Sequence, residues 1–424
     1  MAEQDMTERG GPERGAAERE FDVVLFGASG FVGRLVAEQL ARSADPGVRI
    51  ALAGRTRARV EAVRDGLGTD WPVRTADSAD EASVRALAGS AAVVVSTVGP
   101  YLRYGLPLVR ACADAGTDYA DLTGEVLFVR RSMAAAHERA VATGARIVHS
   151  CGFDSVPSDL AVLLLADRAA ADGAGDLTDV DLLVRSAKGG FSGGTIDSLR
   201  QQLREVRDHP ELRRVVADPY ALSPDRAAEP DLGRQSDAGP PARLADGTWV
   251  APFVMAPYNT RIVRRSNALL DHRYGPALRY REFVAAGRSW WSPALATAVT
   301  AGQALVGAVV GQPWLSPVVD RLLPAPGEGP SEQARRDGHF RLEVRAATTS
   351  GARYRAVVAA PGDPGYAATS VMLAQSALEL AATRSTDGRP AAGRGGVLTP
   401  AVALGENLAG RLRDRGFTLD VTPG

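Results

Sequence analysis

The sequence predicts an α/β fold in two parts, a doubly wound parallel sheet over the first 150 residues and then an α+β unit. Three observations carry this. Short β-rich runs alternate with helical segments from Phe21 to Ser150. One of these runs, Ala91–Thr97 (AAVVVST), is a continuous apolar stretch, which suits a parallel strand buried on both faces. After Ser150 the alternation loses its regularity, and at 424 residues the chain is too long for one ordinary domain.

The elements follow in order. Phe21–Phe26 is strand-like, and Phe31–Arg42 is helical, with Val32, Leu35, Val36 and Leu40 on one side. A strand at Arg49–Ala53, a helix at Arg57–Leu67, a strand at Pro72–Asp77 and a short helix at Glu81–Ala88 lead into Ala91–Thr97. A helix over Leu106–Ala115, a strand at Asp118–Asp121, a helix within Val126–Thr143 and a strand at Ala145–Ser150 complete the series. Such alternation implies a Rossmann-type sheet. Beyond it, Ser158–Ala170 reads as helix, Asp179–Arg185 as strand and Thr195–Arg207 as helix. The Pro-, Asp- and Gly-rich stretch 208–248 reads as a surface excursion. Phe340–Ala347 and Arg353–Ala359 form a hairpin around Thr349-Ser350-Gly351, and Gly365–Thr383 is a long final helix. The expected organisation is a disordered tail at 1–20, a cofactor domain at 21–150, an α+β substrate domain at 151–360 and a helical segment at 361–424.

Composition narrows the function. The chain is 45% hydrophobic and 23% charged, with a net charge of -1, so nothing in its electrostatics recruits nucleic acid. Its two cysteines, Cys112 and Cys151, have no metal-ligand spacing, and a reducing cytoplasm is the simplest compartment. Met1–Glu20 is polar and lacks the apolar core of a signal peptide. Lys188 is the only lysine among 49 basic residues. Codon bias explains most of that; a site where guanidinium is unsuitable is the other reading.

Ser289–Val319 contains no charged residue, and Ala294–Gly311 within it reads as a helix that is buried or faces lipid. Gln303, two threonines, Pro293 and Pro313 argue against a membrane span.

The first strand runs directly into Gly27-Ala28-Ser29-Gly30-Phe31-Val32-Gly33, and a helix follows. Gly27 permits the tight turn, Gly30 lets the backbone approach a pyrophosphate, and Gly33 allows helix and strand to pack closely. Amides from Ser29 to Gly33 then face the phosphates at the positive end of the helix dipole. The second strand ends in Gly54-Arg55-Thr56-Arg57-Ala58-Arg59, with no acid before Glu61. An acid there would hold a ribose 2′-hydroxyl. Arg55, with Thr56 and one of Arg57 or Arg59, suits a 2′-phosphate, so the expected cofactor is NADP(H). Val98-Gly99-Pro100 follows the fourth strand, either beside the nicotinamide ribose or as a simple turn.

Several strings beyond the glycine loop resemble the saccharopine-dehydrogenase-like superfamily. They are GASGFVGRLVAEQL (27–40), STVGPYLRYGLPLVRACADAGTDYADLTGE (96–125), HSCGFDSVPSDL (149–160), KGGFSGGTIDSLR (188–200), PGEGPSEQARRDGHF (326–340) and GDPGYAATSVMLAQSALEL (362–380). Within it the chain looks most like the trans-acting enoyl reductases of polyketide-lipid biosynthesis. The resemblance implies hydride transfer, a substrate domain with a mixed sheet, and a C-terminal helix that returns to the Rossmann domain. No cluster of basic residues matches the two-carboxylate recognition of saccharopine reductases, which sets an aminoadipate-type substrate aside.

The candidates for proton donor or carbonyl polariser are Tyr101 after the fourth strand, Tyr119 and Asp121 at the fifth, and His149, Cys151 and Asp154 around the sixth. The loop Lys188–Thr195, with Lys188 and Ser192, is a second candidate site: its amides open a helix and can polarise a thioester carbonyl, unless the loop is only a helix cap. No Ser-His-Asp or metal-ligand pattern competes. The leading function is NADPH-dependent reduction of a C=C bond of a hydrophobic or carrier-bound acyl substrate. A C=N bond of an amino-acid-like substrate, and a non-catalytic nucleotide-binding or lipid-associated scaffold, are the alternatives. A peripheral membrane contact through Ser289–Val319 and a homodimer are the expected assemblies.

Overall fold

A computed structural model describes residues 19–189, 193–233, 235, 237, 239–310, 329–384 and 394–424. Its first part runs β1 (Phe21–Phe26), α1 (Phe31–Ser43), β2 (Ile50–Gly54), α2 (Arg57–Leu67), β3 (Val73–Thr75), α3 (Glu81–Ser90), β4 (Ala91–Ser96), α4 (Tyr101–Tyr104), α5 (Leu106–Ala115), β5 (Asp118–Asp121), α6 (Val126–Thr143) and β6 (Arg146–Val148). These spans follow the expected ones within a residue or two, α4 being an addition. β1 and β4, the most apolar runs, lie side by side at the centre of the sheet, with Val23 opposite Val93 and Leu25 opposite Val95. Their side chains are buried on both faces.

The second part comprises α7 (Val156–Ala171), β7 (Leu177–Lys188), α8 (Gly193–Asp208), α9 (Leu212–Ala217), β8 (Ala242–Arg243), β9 (Trp249–Pro252), α10 (Ala256–Leu269), β10 (Arg279–Gly287), α11 (Ser292–Val310), α12 (Glu332–Arg336), β11 (His339–Thr348) and β12 (Arg353–Pro361). A π-helical turn at Pro364–Ala368 leads to α13 (Thr369–Ala382), β13 (Gly396–Leu398), α14 (Pro400–Ala403), α15 (Gly405–Arg413) and β14 (Thr418–Pro423). Two sheets result, ordered β13-β6-β5-β4-β1-β2-β3 and β14-β12-β11-β7-β10-β9-β8. The first is parallel throughout. The second is mixed, with β7 and β10 parallel and its other pairs antiparallel. α7 is apolar nearly all round and buried, as a helix enclosed by other elements must be. α13 returns to the parallel sheet, packing on α1, β1, β4 and β5.

Three expectations are corrected, and a fourth, the buried or lipid-facing helix at 294–311, is narrowed. The segment 361–424 is not helical throughout: β13 extends the parallel sheet beside β6, and β14 forms an edge of the mixed sheet. The stretch 208–248 is not a free surface excursion, because Tyr220, Ala221 and Leu222 are buried. Three arginines of α10 bind its carbonyls: Arg261 reaches Val216 (2.7 Å), Arg264 reaches Pro219 (3.3 Å) and Arg265 reaches Leu222 (2.6 Å). α11 is not buried; only a narrow stripe of it rests on protein. Finally, Lys188 is the last residue of a longer strand, in register with His339, not the start of a loop. The tail at 1–18, Ser192, and 311–319 of the charge-free stretch lie outside the described residues.

Candidate active site

The glycine loop stands at the carboxyl edge of the parallel sheet. Gly27 has φ +92°, a left-handed backbone, and a Cβ there would lie 2.6 Å from Thr97 Oγ1. A Cβ on Gly33 would lie 2.1 Å from the Gly27 carbonyl oxygen, so only glycine lets α1 pack this closely. Gly30 caps α1 without a side-chain acceptor, which leaves the first-turn amides of Phe31, Val32 and Gly33 open to a ligand. This cradle fits a dinucleotide pyrophosphate. The second part of the chain reaches over it: Tyr366 meets the Phe31 ring edge-on at 5.0 Å, and the Arg335 guanidinium sits 5.3 Å from its centre.

At the end of β2, Arg55 and Thr56 are exposed, and Arg55 has no hydrogen bond or ion pair with any described residue. Arg57 is turned away, towards the Val73 carbonyl (3.4 Å) and Glu61 (3.4 Å). Arg59 instead lines a cavity of about 580 Å³ between α1 and α2, with Ser29, Arg34 and Glu38 on the facing wall.

Val98-Gly99-Pro100 lies between β4 and α4, on the same edge. Tyr101 is buried there. Its hydroxyl donates to the Ser96 carbonyl (2.9 Å) and accepts from the Leu122 amide (3.2 Å), and burial raises its pKa well above the usual phenol value. Tyr101 thus joins the ends of β4 and β5, and as a proton donor it is set aside. Glu125 accepts from the Tyr101 amide (3.0 Å), the Leu102 amide (2.7 Å) and Ser198 Oγ (2.7 Å), which ties α8 to α4.

Asp154 behaves differently. It follows β6, and a Cβ on Gly124 would lie 3.7 Å from its Oδ2. Among the described residues its carboxyl has no hydrogen-bond or ionic partner. Loss of solvent, with nothing to offset it, pushes its pKa up to about 6. Cys151 is buried and unpaired, and burial raises its thiol well above the usual range.

The flanks of the Lys188–Thr195 segment are both anchored near this edge. A Cβ on Gly189 would lie 2.8 Å from Pro364 Cδ, so the exit of β7 is pressed against the turn that carries Tyr366. Ser198 anchors the other flank through Glu125. Lys188 is exposed at the end of β7.

One arrangement was missed. His149 hydrogen-bonds Asp121 Oδ2 through Nδ1 (2.7 Å) and Ser132 Oγ through Nε2 (2.8 Å). All three are sealed from solvent, so this Ser-His-Asp arrangement reaches no substrate. It is structural: Asp121 also accepts from the Thr123 and Ser150 amides, both at 3.0 Å. Ser150, in a left-handed backbone (φ +67°), hydrogen-bonds the Tyr258 hydroxyl of α10. The network therefore holds the β5 and β6 exits, the latter carrying Asp154. Among the described residues no cluster of His, Cys, Asp or Glu could hold a metal ion.

Residues 23–148 match the family model described as saccharopine dehydrogenase NADP binding domain. Over its length the chain is similar to a trans-acting enoyl reductase of Mycobacterium tuberculosis, 49% identical over 418 residues and covering 96% of this chain and 99% of that protein. A trans-acting enoyl reductase of Mycobacterium ulcerans is 47% identical over 420 residues, with the same coverage of 96% and 99%. The solved structure of saccharopine dehydrogenase (L-Glu forming) from Saccharomyces cerevisiae shares the fold, with a TM-score of 0.55 at 14% identity, covering 95% of this chain and 100% of that one.

Proposed function

The chain belongs to the trans-acting enoyl reductase family of saccharopine-dehydrogenase-like oxidoreductases, and from that premise we propose that it reduces the C=C bond of an enoyl thioester on a hydrophobic, carrier-bound acyl chain of polyketide or lipid type. It is an oxidoreductase with an NADP-binding domain. When bound, NADPH supplies the hydride that the β-carbon accepts. The protein's own share is to bind, orient and protonate. The open amides of Phe31, Val32 and Gly33, with the Ser29–Gly30 backbone beside them, receive the pyrophosphate, Arg55 and Thr56 receive the 2′-phosphate, and Val98-Gly99-Pro100 borders the nicotinamide end. Asp154 gives its proton to the α-carbon as the enolate collapses, and Lys188, Ser192 and the amides around them hold the thioester oxygen.

The observation that carries this reading is the carboxyl of Asp154, without a partner among the described residues and kept near a pKa of about 6 on the edge where dinucleotides bind. A substrate with two amino-acid carboxylates is less well served. The buried guanidiniums of Arg261, Arg264 and Arg265 are already turned to backbone carbonyls. We assign the protein to the cytoplasm, a reducing compartment that suits its two free thiols.

Asp154→Asn tests the assignment. Turnover with a long-chain enoyl thioester should fall by about 10²–10⁴-fold with NADPH affinity unchanged. A general acid acts only while protonated, so the wild-type rate should fall as pH rises through about 6, and the variant should lose that limb. A variant with wild-type turnover and the same pH profile would refute the role of Asp154.

A further inference from the structure

α11 is the one helix, among the described residues, long and apolar enough to cross a membrane, yet it lies on the outside of the molecule. Its contact with protein is a stripe in which Ala296 is buried and Val299 packs beside it against Trp249, Ala251, Val284 and Ala286. Leu305 is 65% exposed and Val306 58%, and Trp290, just before the helix, is 92% exposed beside the half-exposed Trp291.

The polar groups of this helix are turned inward or used up. Thr297 donates to the Pro293 carbonyl and Thr300 to the Ala296 carbonyl, each at 2.9 Å, one turn back along the helix. Gln303 donates inward to the Pro252 carbonyl at 3.1 Å. The outer face therefore presents hydrocarbon with little besides the Thr297 hydroxyl, whose proton is already given to the backbone, and no charge occurs from Ser289 to Val310. A protein partner normally supplies about one hydrogen bond per 100–200 Å² of interface, and little here beyond the Thr297 hydroxyl oxygen would receive one. A second copy is also a poor occupant. At 19 residues the helix is about 28 Å long, so two such faces pressed together bury roughly 600 Å², well short of about 1,200 Å² for a stable pair. Hydrocarbon asks for neither hydrogen bonds nor charge, and tryptophan settles at the boundary between lipid and water.

We propose that α11 and the Trp290–Trp291 pair form a docking surface for a phospholipid bilayer, lying in its interfacial layer. The stripe from Ala296 to Gln303 is seated on β9 and β10, which keeps one side of the helix on protein, so the helix rests in the bilayer and does not span it. Attraction is apolar, because the helix and the tryptophan pair carry no lysine or arginine to recruit anionic headgroups, and the neighbouring Arg288 is paired with Asp246.

Flotation of the full-length protein with phosphatidylcholine vesicles, without substrate or cofactor, tests this apart from the catalytic reading. The wild type should float with neutral vesicles, equally at low salt and at about 1 M salt. The W290A/W291A double variant should lower the bound fraction roughly tenfold, and Leu305→Lys, at an exposed site where folding is undisturbed, should do the same. A wild type that ignores neutral vesicles overturns the proposal. So does binding that requires anionic lipid and is released by salt. Self-association that Leu305→Lys abolishes, with vesicles ignored, would assign the face to a second copy instead.

Discussion

Arginine is the commonest charged choice of this chain, and at single positions the structure separates those that can serve the cofactor from those that cannot. Arg55 is exposed without a described partner, and Arg59 lines the cavity opposite Ser29, whereas Arg57 is spent on Val73 and Glu61. Arg55→Ala and Arg59→Ala should each weaken the preference for NADPH over NADH, by about 1.5–3 kcal/mol for a lost charge-assisted contact. Arg57→Ala should leave the preference alone. Fluorescence titration of both cofactors decides this, and an Arg57→Ala effect as large as that of Arg55→Ala would contradict it. The sequence contained these arginines but not their directions. It likewise contained Asp154 and Tyr101 as equal candidates. Only the partners told them apart, since the Tyr101 hydroxyl is fully engaged and the Asp154 carboxyl is not. Ser132 was illegible, because it lies mid-helix and meets His149 only after α6 packs on the sheet.

Among the elements, the parallel strands were legible because burial on both faces makes each a short unbroken apolar run, while the helices between them keep a 3.6-residue period. The elements that escaped owe their form to neighbours. β13 is three residues long and is a strand because it pairs with β6. α10 carries three arginines, yet Arg261, Arg264 and Arg265 are buried and act as donors to carbonyls, which only the fold around them reveals. Arg265 is the clearest case. It donates to Leu222 (2.6 Å) and Val397 (2.5 Å), joining the 208–248 stretch to β13, and burial lowers its pKa to about 10. Arg265→Met fills similar volume but leaves two buried carbonyls without a donor, at a cost of about 2–5 kcal/mol. Urea unfolding should register that loss while NADPH affinity per folded molecule holds. A change below about 0.5 kcal/mol would show that the carbonyls find other donors.

At the scale of the whole molecule, α7 ties the second part together, because it is enclosed by the mixed sheet, α10 and the C-terminal helices α14 and α15. Its Asp159 is buried against Ser266 (2.5 Å) and the Ala401 amide (2.8 Å), and desolvation pushes its pKa from 3.8 up to about 7. A carboxyl with a raised folded-state pKa adds stability that is complete below its unfolded value and is lost as pH rises through the folded one. Thermal melting should therefore fall between about pH 4 and pH 7, and Asp159→Asn should flatten that slope; an unchanged slope would remove Asp159 as its cause. The family strings already pointed to this two-sheet architecture, and Arg55 with no acid before Glu61 pointed to NADP(H), while the direction of each side chain at the carboxyl edge waited on the fold. What the edge is for is tested most directly by mass analysis of the product from a long-chain enoyl thioester, reduced with cofactor-labelled deuteride in one run and in heavy water with unlabelled NADPH in another. The expected product is a saturated acyl chain with the cofactor's deuterium on the β-carbon and the solvent's on the α-carbon. An acyl chain recovered unsaturated from enzyme that binds NADPH would contradict it.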